Sequence, residues 1–276
     1  YCSRNIRKLQ GLFFVSQFKN KEYPLLDLSV LKNRTYFFGT LIQVILMAVF
    51  LASAALLPSM LQTLLGYSAY LSGLSMGSRG IGSISGVIAY LILSKHIGDR
   101  RITMIGLTLL GFGSLFFGMI NLQINLSIIA VPNILYGLGI FLALTPLVPL
   151  SCSTVRNEDM ANASCLQNLV KNIGGAIGTS IGTTMVSRFA QAHQHMMSGH
   201  LNFSNDVYVE KLAAMSQAFM QSTADFATAQ GMAMANIYQE LLQQARLWGY
   251  VDTFRWFAFA TFLLIPMLAL VKKSKE

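Results

Sequence analysis

Six apolar stretches, separated by polar segments, run between residues 36 and 271, at about 37–65, 70–93, 102–120, 126–150, 163–186 and 254–271. Crossing ~30 Å of hydrocarbon takes roughly 20 apolar residues in a helix. A span in lipid must also satisfy its own backbone, which a lone helix does and a lone strand does not. The pattern therefore predicts an all-α integral membrane protein, a six-helix transmembrane bundle over residues 36–271. Ahead of it, residues 1–35 read as the end of a preceding helix, since the apolar run 11–18 is too short to cross, followed by a polar linker. Residues 272–276 read as a tail. Between the fifth and sixth spans, residues 187–250 turn polar. There Leu212, Met215 and Phe219, then Leu241, Leu242 and Ala245, recur near helical spacing. Two external amphipathic helices are expected.

Composition supports lipid as the solvent. Hydrophobic residues make up 54% of the 276 and charged residues 11%, against about a quarter charged in soluble domains. The net charge of +9 does not point to nucleic acid. Of 20 Lys and Arg, 14 fall in Arg4–Arg34, Lys95–Arg101, Arg156 and Lys272–Lys275. These places alternate with pairs of spans, as the positive-inside bias of cytoplasmic loops requires. The bundle is thus expected to start and end at the cytoplasmic face, with 187–250 outside. Cys2, Cys152 and Cys165 have no metal-ligand spacing and read as small buried residues. The chain opens Tyr1-Cys2-Ser3-Arg4 with no signal-peptide pattern, and is expected to be a piece of a longer protein.

Charges inside spans are costly, about 2.5–3.5 kcal/mol at the centre of a helix on insertion scales. Two are predicted here, Arg79 in the second span and Lys171 in the fifth, the latter beside Gln167, Asn168 and Asn172. Two readings stay open for each: a lining of a substrate path or gate, or a packing contact with helix carbonyls. The carboxylates lie outside the span centres, with Asp252 at the mouth of the sixth span nearest. Gly174, Gly178 and Gly182 share one helix face, where backbones can approach closely. In the tight loop Gly98-Asp99-Arg100-Arg101, Asp99 is expected to cap the third span. His193, His195 and His200 have no carboxylate or cysteine at useful spacing, so no metal site is expected. No catalytic set is visible.

At these residues the chain resembles the C-terminal half of the major facilitator superfamily, in its fourteen-helix drug:proton antiporter branch. The linker Tyr23-Pro24-Leu25-Leu26-Asp27-Leu28, with Leu31-Lys32-Asn33-Arg34, is similar to that branch's loop. Arg79-Gly80-Ile81-Gly82 looks like its Pro-Arg-Gly-Leu-Gly segment, with Ser78 in place of Pro. Gly98–Arg101 resembles the superfamily's loop motif. Leu169-Val170-Lys171-Asn172-Ile173-Gly174-Gly175 is similar to the branch's Leu-Val-Arg-Asn-Ile-Gly string. Lys171 there replaces Arg and loses its planar fork. Gln244, Ala245, Tyr250, Asp252 and Phe254 match the approach to the last helix.

The resemblance implies proton-coupled multidrug efflux by alternating access across a bacterial inner membrane. No cofactor is implied; the proton gradient is the driving force. Arg79 would belong to the cavity or gate, Lys171 to the face between two bundles, and Gly98–Arg101 to a cytoplasmic latch. The implied partners are membrane lipid, small amphipathic substrates, an N-terminal helical half carrying the proton-coupling acid and, in the Gram-negative branch, a periplasmic adaptor. Two other readings stand beside it: a non-transporting fragment or assembly partner, and a membrane-embedded transferase.

Overall fold

In a computed structural model, residues 28–221 and 225–271 are described. The expected end of a preceding helix, most of the linker and the tail 272–276 lie outside them. Seven α-helices are found among the described residues: α1 (Arg34–Thr63), α2 (Ala69–Leu93), α3 (Asp99–Phe117), α4 (Leu126–Cys152), α5 (Met160–Ser198), α6 (Asp206–Phe219) and α7 (Phe226–Met267). Five of them, α1, α2, α3, α4 and α7, are long and apolar enough to cross a membrane. The sixth long helix, α5, has the length but not the apolarity: Lys171, three amides and several threonines dilute its middle.

Helix starts follow side-chain chemistry. Asn33 caps α1 by accepting from the Thr35 N–H at 3.1 Å, and its amide also donates to the Thr154 carbonyl beyond α4 at 3.0 Å. Ser68 caps α2 and Asp225 caps α7 in the same way, each satisfying N–H groups that have no partner inside the helix.

Two boundaries differ from the sequence expectation. The helix carrying the fifth predicted span does not stop near 186: α5 runs on to Ser198. Nor does a new helix start at 254: α7 continues unbroken from Phe226 through the predicted second amphipathic helix. Hydropathy marks where lipid ends, and a helix can cross that line when neither Pro nor Gly stops it. Among the described residues of that stretch, α6 is the one separate helix, packing Leu212 against Ala233 and Ile237 of α7.

α1 lies centrally, touching α2, α4, α5 and α7, while α4 is flanked by α2 and α3, and α7 by α3 and α5. The shared core holds Ile42, Leu46, Leu57, Leu107, Leu110, Phe117, Tyr136 and Phe254. Outward, α2 exposes Leu74, Ile81, Ile84, Ile88 and Leu91, and α5 exposes Leu169, Ile173, Ile177 and Ile181. Apolar faces of this extent suit lipid or another helical surface, not water.

Candidate functional site

The buried side of α2 is built from Ser72, Ser75, Arg79, Gly82 and Gly86, a helical stripe of small or polar residues that meets α4. The small residues set the spacing. A Cβ on Gly86 would come 2.7 Å from the Leu138 carbonyl, and one on Gly137 would strike the Arg79 carbonyl itself. With the two backbones this close, the Arg79 side chain is enclosed by the bundle and is 4% exposed.

Two helices, α1 and α4, supply its partners. Nε donates to Asn133 Oδ1 of α4 at 3.1 Å and Nη1 donates to Ser53 Oγ of α1 at 3.2 Å. The guanidinium carbon stands 4.6 Å from the centroid of the Tyr136 ring, a cation–π distance. These partners are themselves fixed. Asn133 donates to Ser75 Oγ and the Ile129 carbonyl, Ser53 donates to the Phe50 carbonyl, and the Tyr136 hydroxyl donates to the Val49 carbonyl at 3.1 Å. Nη2 has no protein partner, and among the described residues no carboxylate forms an ion pair with Arg79. The arrangement thus holds a positive charge inside an apolar bundle through neutral partners alone, with both N–H groups of Nη2 unspent.

A second polar group gathers nearer the end of the bundle that holds Asn33, where α1, α4 and α5 meet. Gln43 donates to Ser151 Oγ at 3.0 Å, and the Tyr36 hydroxyl donates to the Ala163 carbonyl at 2.7 Å. Gln167 is buried at 2% exposure. Thr40 Oγ1, Gln43 Oε1 and Gln167 Nε2 have no hydrogen-bond partner there. Lys171 is half-buried one turn further along, whereas Asn168 and Asn172 are exposed. The expected polar flank is therefore split: Gln167 is buried within the bundle, and the two asparagines are exposed.

Gly174, Gly178 and Gly182 seat α5 on α1. A Cβ on Gly174 would come 2.5 Å from Val44 Cγ1, one on Gly178 would strike the Ala48 backbone, and one on Gly182 would come 3.1 Å from Ala52 Cβ. Gly98, not Asp99, is the N-cap of α3, and it makes no side-chain cap. Asp99 is the first helical residue, where its charge still favours the helix dipole, and it accepts from the Tyr90 hydroxyl at 3.4 Å. Arg100 and Arg101, with Lys95 and His96, line an open recess of about 830 Å³. No cluster of three metal-ligating side chains occurs among the described residues.

Ser53, Asn133 and Tyr136 were not singled out by sequence. Asn133 carried a signal, an amide in the middle of an apolar span, as did Gln43; Ser53 and Tyr136 carried none.

Comparison with known proteins bears on the same residues. The chain is 23% identical to the colistin resistance protein EmrB of Acinetobacter baumannii over 274 residues, covering 96% of this chain and 51% of that protein. It is 25% identical to the fatty acid resistance protein FarB of Neisseria gonorrhoeae, covering 94% of this chain and 50% of that one. It is 24% identical to the multidrug export protein EmrB of Escherichia coli, with coverage of 88% and 46%. The chain thus spans about half the length of these curated relatives. The Major Facilitator Superfamily profile matches residues 7–179, which include α1 to α4, the Arg79 site and the Gly98–Arg101 loop. With its multi-pass helical fold and that match, the chain belongs to the major facilitator superfamily.

Proposed function

We propose that the chain forms one helical half of a proton-coupled multidrug exporter that moves amphipathic compounds across a bacterial inner membrane by alternating access. The observation that carries this reading is the buried Arg79 guanidinium, held by Ser53, Asn133 and Tyr136 and ion-paired to no carboxylate of the described residues. A membrane bundle that needed only packing would be served more cheaply by an apolar residue. A cation retained there marks a place that meets negative charge during the cycle, on a substrate or on a second bundle. The names of the relatives, colistin resistance, fatty acid resistance and multidrug export, support amphipathic compounds as the substrate class.

The rest of the proposal follows from alternating access. A second helical half would pack on the exposed faces of α2 and α5 and carry the proton-coupling acid. Lys171 with Gln167 would lie near that junction, and the basic recess at Lys95–Arg101 would stay cytoplasmic. The polar outer ends of α5, α6 and α7 would meet a periplasmic adaptor. The proton gradient, not a cofactor, would supply the energy. The test is dye efflux from inverted vesicles under an imposed pH gradient, with the second half supplied. Gradient-dependent efflux that Arg79→Met abolishes is expected. No efflux from the complete assembly would remove the transporter reading.

A further inference from the structure

At the edge of their apolar spans, α5 and α7 carry charged and aromatic side chains that meet at one place. His193 Nε2 lies 2.7 Å from Asp252 Oδ2. One turn along α7, Arg255 Nη1 lies 3.3 Å from the other carboxylate oxygen, and Arg255 Nε donates to the Gly118 carbonyl at the end of α3 at 3.1 Å. Trp248 closes the group: its ring lies 5.8 Å from the imidazole and 5.6 Å from the guanidinium carbon. Three helices are thereby joined by one run of charge. Gly118 lies at the end of α3 opposite Asp99, so the cluster is at the end of the bundle remote from the basic loop.

We propose that His193, paired with Asp252, is a proton-binding site open to the outer aqueous phase. An ionised carboxylate only accepts hydrogen bonds, so the neutral imidazole must present its hydrogen at Nε2. Nδ1 is then the nitrogen that takes a proton from external water. Histidine is the side chain whose charge ordinarily changes between about pH 5 and 8. The pair is not sealed in the bundle, since the two side chains are 20% and 26% exposed. The charged groups facing the imidazole are Asp252 and, through it, Arg255, both from α7. From α3 the Gly118 carbonyl reaches Arg255, and on α5 itself Arg188 and His195 are the nearest titratable residues in sequence.

With the imidazole neutral, the Asp252 charge is matched by Arg255. Protonation adds one positive charge and turns the α5–α7 bond into a doubly charged one, which is stronger and shorter. External acid would therefore tighten this junction. In the exporter proposed above, on which this use of the site rests, the pair would hold an incoming proton at the outer mouth.

The chain has two tryptophans, so Trp256→Phe leaves Trp248 as the single indole reporter. The full chain carrying that change is placed in phospholipid nanodiscs and its emission followed from about pH 5 to 8. A neighbouring imidazolium quenches indole, so emission should fall in one single-proton step on acidification, and that step should vanish in His193→Gln. Hydrogen exchange provides the second readout. Acid should raise amide protection around residues 190–196 and 248–255, and the gain should be lost in both His193→Gln and Asp252→Asn. A flat emission trace with helical content intact, or a step that survives His193→Gln, would overturn the site. So would an acid-induced gain in protection that persists in Asp252→Asn. Should the titration be found while the complete assembly shows no efflux, the proton site stands and the transporter reading fails.

Discussion

Replacing Arg79 with Met separates the charge from the packing. Two hydrogen bonds from a charged donor are each worth about 1.5–3 kcal/mol, and a desolvated cation–π contact adds about 2 kcal/mol. Opposing them are about 2.5–3.5 kcal/mol for placing the cation in a span and about 1–3 kcal/mol for the unpaired Nη2. These nearly cancel. In Arg79→Met the Ser53 hydroxyl keeps its bond to Phe50, Asn133 keeps those to Ser75 and Ile129, and only Asn133 Oδ1 is stranded. Met also fills much of the vacated volume. Stability should therefore change by less than about 2 kcal/mol, whereas Arg79→Ala, which opens a cavity, should lose roughly 2–5 kcal/mol. Thermal unfolding of the purified chain in detergent compares the two, and vesicle efflux of the complete assembly gives the functional arm. Efflux should be lost in both variants. If Arg79→Met unfolds the bundle, the arginine is a structural staple and the ledger above is wrong. If it transports at the parental rate, the charge has no part in the cycle.

At Gly178 a side chain would collide with the Ala48 backbone, so Gly178→Leu should force α5 off α1 at a cost of about 1–3 kcal/mol, seen as a lower unfolding temperature. Asn33→Ala removes both the α1 cap and the tie to Thr154. It should cost about 0.5–2 kcal/mol and loosen amide protection in the first turn of α1. The Thr228 hydroxyl, then the Thr228 and Ala227 amides, hold the Asp225 carboxyl below its ordinary value of 3.8. A depressed carboxylate stabilises the fold above its unfolded pKa, and that contribution is lost as pH falls through the lower folded value. Exchange protection at Ala227 and Thr228 should therefore be flat above about pH 5 and decline below about pH 4, and a decline centred near neutrality would contradict the assignment.

The spans were readable because lipid imposes a length and a composition together, and α1 to α4 follow that signal. The outer reaches of α5 and α7 were not. Once a helix leaves hydrocarbon, its apolar boundary disappears while its backbone bonds continue, so Ser187 to Ser198 and Phe226 to Val251 carried no mark of continuity. Arg79 stood out because charge in a span is rare, yet Ser53 and Asn133 are 26 and 54 residues away, beyond anything periodicity can connect. The glycines of α5 announced a close approach without naming α1 as the surface approached. Lys171 and its amides were read as one flank, but a step of 100° per residue places Gln167 and Asn168 on different sides. His193 and Asp252, 59 residues apart, became a pair only through the antiparallel run of two long helices.

That unbroken run of α7 has a mechanical consequence. Forty-two residues make a rod of roughly 63 Å at ~1.5 Å per residue, about twice the hydrocarbon thickness of ~30 Å. With no hinge between the two halves, a rotation of about 10° inside the bilayer swings the far tip by roughly 5 Å, given the same rise per residue. In the exporter proposed above, such a helix would act as a lever with its fulcrum at the membrane edge. Whatever grips its distal arm feels each tilt of the buried arm directly, without needing any chemical signal to pass between them.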